Sequence, residues 1–580
     1  MPTPPDHDFV DHDFVRAAAA AADRLAAPLA ARPGAEPAGV PHRTLASRVK
    51  TLLAAYRSPD SALHGSGQAV AAAMTHLRAL RAAQTGTGLF AGGDNVQSPP
   101  DSAFTVNDVC DAHVLAAGGG PGLRAATAAL AEIAGAATES LLTGGVHTPN
   151  HRWELCAALA RLHRSFPDGR LLDRVGQWLA EGVDIDAEGL YSERSANYAA
   201  HVTNPSLLLL SEVLGRADLL DAVERNLAAT LDLIRPDGTV ETVHSRRQDQ
   251  HGPFPLAPYL PHYRLLAIRT GRGDFSRAAR QAAHGGIDDP GLLAGTLLTP
   301  DLCHVLPAPA AQVLPRERYL TTARLAARAS DTAHTVVYGG SDVPEHRRIR
   351  SGLACNPTFL RLFAGDAVLD AVRLSRGFFD LGPFRAAGMQ RLADGRYRLT
   401  ETLSAAYYQP LAPDRRRDDG SYRMADEGRF SAAMAFADRP RDEVSHTTRV
   451  EVDLREDGAD LRIDISGPRV PWALELTFRP GGVPQGAVPI GDGRWCLTAG
   501  PMTYRVGDDE IRVRAAVEAG EPLAGPDRGD LLRYDPGQDH TVVGGTDATS
   551  GNRVHIGGHG PQTLTLALRA RRRAQEPPQR

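Results

Sequence analysis

The chain has 580 residues, of which 42% are hydrophobic and 23% charged, and a formal net charge of −5. That length is too great for one compact core and predicts two large domains, or two plus a small one. So small a net charge on so long a chain excludes a general electrostatic pull toward nucleic acid or an anionic membrane, so attraction for an anionic ligand must be built locally.

Residues 1–16 read as a flexible N-terminus with a tandem DHDFV duplication, acidic where a secretory signal would be basic and then apolar. A cytoplasmic location is therefore the expectation, with secretion left open, and no run reaches the 18 apolar residues of a membrane span. Residues 17–328 carry apolar side chains at three- and four-residue spacing in Leu45–Tyr56, Val70–Leu80, Leu123–Leu142, Trp153–Phe166, Leu171–Leu179 and Leu219–Ile234. Paired helices of this length with short connections predict an α/α toroid or another helical-hairpin array. Thr203-Asn204-Pro205 reads as a helix start, with Asn204 as cap and Pro205 in the first turn.

Residues 329–569 change to β-branched and aromatic alternation. Three hairpins are predicted, with Asp394-Gly395, Asp457-Gly458 and Asp492-Gly493 at the turns. Short strands with frequent turns predict an antiparallel β-sandwich, and residues 570–580 read as a disordered tail. The five cysteines are widely spaced, without a CxxC pair, and suggest neither a disulfide framework nor a thiolate zinc site. Lys50 is the single lysine; the other 63 basic residues are arginine.

Three polar clusters interrupt the helical half: Asp94–Pro100, Thr148–Glu154 and Tyr191–Tyr198. Each reads as a loop-to-helix junction, where functional side chains collect on a rigid scaffold. Asn150 alone reads as a helix cap behind Pro149. The combination of an amide, an imidazole and a carboxyl in Asn150, His151 and Glu154, with Tyr198 in a later polar loop, points to chemistry. A further block, Val243–His251, reads either as an exposed charged loop or as a substrate rim with His244, Arg247 and Gln248. Asn95 and Gln97 read either as a plain turn or as contacts serving the same cleft. The pair His555 and His559 lacks a carboxylate partner and reads as a glycine-rich turn.

Asn150-His151, Glu154 and Glu193-Arg194-Ser195-Ala196-Asn197-Tyr198 together resemble the heparinase II/III-like and alginate-lyase-like polysaccharide lyases, whose α/α toroid precedes a β-sandwich. The resemblance implies β-elimination on a uronic-acid-containing glycan. Asn150 and a protonated Glu154 would neutralise the uronate carboxylate and stabilise an enolate-like intermediate, as an oxyanion hole does. His151 and Tyr198 would act as general base and acid. A phenol in that role needs its pKa brought down from about 10 by nearby positive charge, for which Arg152, Arg194 and Arg247 are candidates. Substrate contacts are expected from Asn95, Gln97, Arg152, Glu154, Glu193, His244, Arg247 and Gln248.

The resemblance also implies a junction histidine, assigned to His346 with His334 as runner-up. Glu345–Arg350 lacks the second histidine and the aspartate of the family's metal-binding segment, so no metal ligand and no cofactor is assigned, with a structural divalent metal left open. The expected partner is an acidic oligosaccharide or polysaccharide, with a homodimer left open. Two other readings compete: a glycoside hydrolase using Glu154 and Glu193, with Asp94 or Asp249 as substitutes, and a non-catalytic carbohydrate-binding protein.

Overall fold

A computed structural model describes residues 9–92, 95–342, 356–379, 381, 383–427, 432–491, 493–524 and 551–572. The chain forms two compact units, Met1–Ser245 with Gly252–Val313, and Arg246–His251 with Leu314–Arg580.

The first unit contains α1 (His12–Ala30), α2 (His42–Arg57), α3 (Gly67–Ala82), α4 (Pro99–Ala117), α5 (Arg124–Thr143), α6 (Pro149–Ser165), α7 (Gly169–Leu179), the short α8 (Ala196–Tyr198), α9 (Asn204–Leu214), α10 (Ala217–Leu231), α11 (Leu260–Thr270), α12 (Gly273–Ala282) and α13 (Leu292–Leu298). Side-chain caps start several of them: Asp11 accepts from the amide of Phe14, Ser66 from Ala69, Ser98 from Asp101 and Asp168 from Arg170.

α2, α4, α6 and α9 pack one on the next, and α3, α5, α7 and α10 each back the helix before them. Burial follows that order. Along α6 every residue from Asn150 to Ala160 is buried, whereas α7 buries only Leu171, Val175 and Leu179, one stripe of an outer helix. α13 packs on α1, α2 and α4, returning the end of the unit to its start. Arg264 fastens the closure, donating to Asp11 at 3.0 Å and to the carbonyls of Leu302 and His304 at 2.6 Å. Alternating inner and outer helices closed on themselves make an α/α toroid.

α9 starts at Asn204 with Pro205 in its first turn, as expected, but Asn204 does not cap it. Ser195 caps α8 through the amide of Tyr198, and a π-helical turn, Ala199–Thr203, carries the backbone directly into α9. Asn204 instead joins a buried amide chain: Tyr191 donates to Asn204, Asn204 to Asn226, and Asn226 to the carbonyl of Gly189, at 2.8, 3.0 and 3.0 Å.

In the second unit, the described residues give an eight-stranded and a nine-stranded sheet, whose inner faces share one core that includes Phe384, Tyr397, Leu461, Trp472, Leu474 and Leu566. The three expected hairpins pair as Met389–Ala393 with Arg396–Tyr408, Arg441–Arg455 with Gly458–Ser466, and Val488–Gly491 with Arg494–Cys496; Asp492 lies outside the described residues. Pairing is antiparallel except between Arg494–Cys496 and Asn552–His559, which run parallel. The sheet begins earlier than expected, because Arg316–Leu320 and Leu325–Ala329 are already paired strands. The division falls at Val313, not at residue 328. At the ends, α1 starts within the expected flexible stretch and a strand runs to Arg571. Among the described residues no helix is long and apolar enough to cross a membrane.

Candidate active site

α6 carries the Asn-His pair. Its cap residue is Thr148, which makes no side-chain capping bond, and Pro149 occupies the first turn. Asn150 therefore lies inside the helix and does not cap it. Its fully buried side chain reaches across to the loop before α8, where the amide nitrogen donates to both carboxylate oxygens of Glu193, at 2.8 and 2.9 Å, and to the hydroxyl of Thr148 at 3.1 Å. Its carbonyl oxygen is buried with no hydrogen-bond partner. The second and third polar clusters of the sequence thus meet through Asn150 and Glu193.

His151 is buried next to it, its ring edge-on to His147 at 4.6 Å and to Phe104 at 6.4 Å between centroids. One turn further, the buried Glu154 accepts from the side-chain amide of Asn107 at 2.7 Å, and the Asn107 carbonyl accepts from Arg161 at 3.0 Å. Burial pushes the Glu154 carboxyl up to about 7, against the smaller opposing pull of the Asn107 hydrogen bond. Such a group is a proton donor near neutrality.

Tyr198 ends α8 half-buried, with the π turn immediately after it. π-helical turns are rare and concentrate at functional sites. Arg194, in the same loop, has φ of 51°, a left-handed conformation that costs a non-glycine residue about 1–3 kcal/mol. His244 is buried and, with Tyr191, Arg194 and Ser195, lines a cavity of about 20 Å³.

Several expected substrate contacts already hold other partners or belong to the other unit. The Arg152 side chain is only 6% exposed, paired with Glu181 at 3.2 Å and Asp184 at 3.3 Å and stacked over Trp153 at 4.1 Å. Asp184 also accepts from Trp153 at 2.9 Å and from Ser192 at 2.5 Å. Arg152 therefore braces the loop that presents Glu193; its charge is already committed. Asn95 and Gln97 are exposed, and Asn95 holds the turn before α4 by donating to Asp101 at 3.0 Å. Arg247 and Gln248 belong to the second unit, as does Asp249. His334 sits buried in a strand of that unit, edge-on to Phe363 at 5.8 Å. His346, with the Glu345–Arg350 segment, and Asp94 lie outside the described residues.

The sequence clusters did not include Asn107, Asp111 or His147. Asn107 and Asp111 lie on α4, a helix with an unusual run of buried polar residues, Asp101, Ser102, Thr105, Asn107 and Asp111. That run was the available signal, since an outer helix would have exposed it. Among the described residues no group of three or more His, Cys, Asp or Glu stands close enough to hold a metal.

No protein-family model matches this sequence, and no curated protein matches it. Solved structures do. Heparinase III superposes with a TM-score of 0.55 at 9% identity, over 90% of this chain and 76% of that one. A chondroitin AC lyase of Streptomyces coelicolor A3, solved in complex with chondroitin sulphate, gives 0.50 at 14% identity, over 98% and 80%. A Paenibacillus xanthan lyase gives 0.52 at 10% identity, over 98% of this chain and 59% of that one. At such identities the likeness is one of fold, and in fold the chain is a helical toroid with a β-sandwich, built as these polysaccharide lyases are.

Proposed function

We propose that the chain is a polysaccharide or oligosaccharide lyase that cleaves an acidic glycan by β-elimination next to a uronic acid. The observation that carries this reading is the buried Asn150 amide, unused as a cap and bonded to Glu193, which joins the Asn-His pair to the loop of Tyr198. The toroid-and-sandwich fold held in common with the lyases above supports it.

The chemical obstacle is the weak acidity of the carbon next to the uronate carboxylate. A proton on Glu154 and the amide of Asn150 offset the negative charge that grows there as that carbon loses its proton. His151 or Tyr198 takes the C5 proton, and Tyr198 supplies one to the departing 4-linked oxygen. Both hydrogens of the Asn150 amide are engaged in the free protein, so substrate must displace one contact, and the longer bond to Thr148 is the cheaper to give up.

Screening uronate oligosaccharides for new absorbance near the ultraviolet edge tests the reaction. Elimination creates a conjugated unsaturated uronate and hydrolysis does not, so reducing ends released without absorbance would move the assignment to the Glu154 and Glu193 hydrolase. Binding without any cleavage would leave a carbohydrate-binding protein.

Glu154 also gives a pH prediction. Its folded value of about 7 lies above its ordinary 4.5, so the protonated form is favoured by folding. The stability it confers is complete below the ordinary value and is lost as pH rises through about 7. The melting temperature of the wild type is expected to fall more steeply than that of Glu154→Gln between about pH 4.5 and 7. Parallel curves for the two proteins would remove the neutral carboxyl from the mechanism.

A further inference from the structure

The only lysine of the chain is inside the toroid. Lys50, on α2, is hydrogen-bonded to Asp108 of α4; burial alone would lower its pKa, but Asp108 and Asp111 outweigh that and hold it charged. It lines a cavity of about 550 Å³ between α2, α4 and α6, within the range of about 300–1,000 Å³ usual for small-molecule sites. The cavity adjoins the candidate active site, for its wall includes Glu154, Phe104, which meets His151 edge-on, and His201 of the π turn after Tyr198.

The charges in this wall do not cancel. Arg43 pairs with Asp101, Lys50 with Asp108 and Arg161 with Asp111. Glu154 is held by a neutral amide. Arg48 also lines the cavity, forms no ion pair among the described residues, and has a buried Nε with no hydrogen-bond partner. A cation that is half-buried in a cavity and lacks a carboxylate is costly unless an anion is supplied from outside.

We propose that this cavity is an anion-accepting subsite in which Arg48, supported by Lys50, binds a sulfate or second carboxylate on the sugar next to the cleaved bond. The inference rests on the lyase reading for the ligand being a glycan. A compact ammonium at position 50 reaches Asp108 without filling the space that a guanidinium fork would occupy.

Calorimetric titration of the intact protein tests it, using three tetrasaccharides: a sulfated one containing uronate, an unsulfated one made of uronate, and a neutral one. The charged ligands are expected to bind more tightly than the neutral one, and whichever of them binds more tightly names the group. Arg48→Gln is expected to weaken the charged ligands by about tenfold or more and to change the neutral one little; Lys50→Met should act in the same direction. Because Arg48→Gln breaks no ion pair, it remains informative if Lys50→Met folds poorly. Unchanged affinity for charged ligands in folded Arg48→Gln, or equal loss for charged and neutral ligands, overturns the subsite. Arg48-dependent binding without elimination would keep the subsite and retire the lyase reading. Elimination with wild-type binding in Arg48→Gln would do the reverse.

Discussion

Tyr198→Phe is expected to lower turnover of the best uronate oligosaccharide by about 10²- to 10⁴-fold, the usual range for a general acid or base, while the melting temperature stays at the wild-type value. The substitution removes one hydroxyl and keeps the ring. Local backbone geometry should survive, because it is set elsewhere: Ser195 caps α8 through the Tyr198 amide, and the π turn follows from backbone bonding in Ala199–Thr203. A loss confined to kcat, with KM little changed, would mark a group acting in the transition state and not in ground-state binding. A rate within threefold of wild type, measured by absorbance of the unsaturated product, would end the role given to Tyr198. Of the arginines considered as helpers of the phenol, Arg152 is committed to Asp184 and Glu181 and Arg247 belongs to the second unit. Arg194 stands in the same loop as Tyr198, in a left-handed conformation.

The parts of this fold that could be read from sequence are those with local causes. The Asp-Gly turns announce hairpins because glycine takes the positive φ that the turn demands, as at Gly395, where φ is 70°. Helices of the toroid announce themselves by period. The first two strands of the sandwich did not, since Arg316–Leu320 and Leu325–Ala329 are rich in arginine, leucine and alanine, residues that favour helix and acquire their strand only from the neighbours they pair with. Asn204 misled as a cap for a similar reason: Pro205 does occupy an early helical position, but the preceding residues were already helical through the π turn, so no capping side chain was needed.

At the site, Asn150, Glu154 and Glu193 stood out as polar residues near loops, and the structure joins Asn150 to Glu193. Sequence could not tell that Arg152 pairs with Asp184 and Glu181 while Asn150 reaches Glu193, because one residue step on a helix changes the facing direction by a large angle that only the surrounding helices define. Nor could it foresee that Asn107, mid-helix on α4, would hold Glu154; that contact depends on how two inner helices face each other. Lys50 was visible as an oddity of composition, and only the toroid gives it a place.

Asn150 offers the second large effect. Asn150→Ala is expected to reduce turnover by about 10²- to 10³-fold, the cost of deleting one donor from an oxyanion hole. It should also destabilise the fold by about 1–3 kcal/mol, because the Glu193 carboxylate loses the donor it now holds with both oxygens. Asn150→Asp separates the two effects. It keeps shape and volume but sets a carboxylate against that of Glu193, and two such groups in contact cannot both ionise cheaply, so the shared site has a raised pKa in the folded protein. Stability of Asn150→Asp should therefore match or exceed that of Asn150→Ala in acid and fall below it as the pH rises toward neutrality. Melting curves of the two variants across pH test this. If Asn150→Asp is as stable as wild type at neutral pH, the Asn150–Glu193 contact does not form in solution; if Asn150→Ala, well folded, turns over within threefold of wild type, the amide has no part in stabilising the reacting carboxylate.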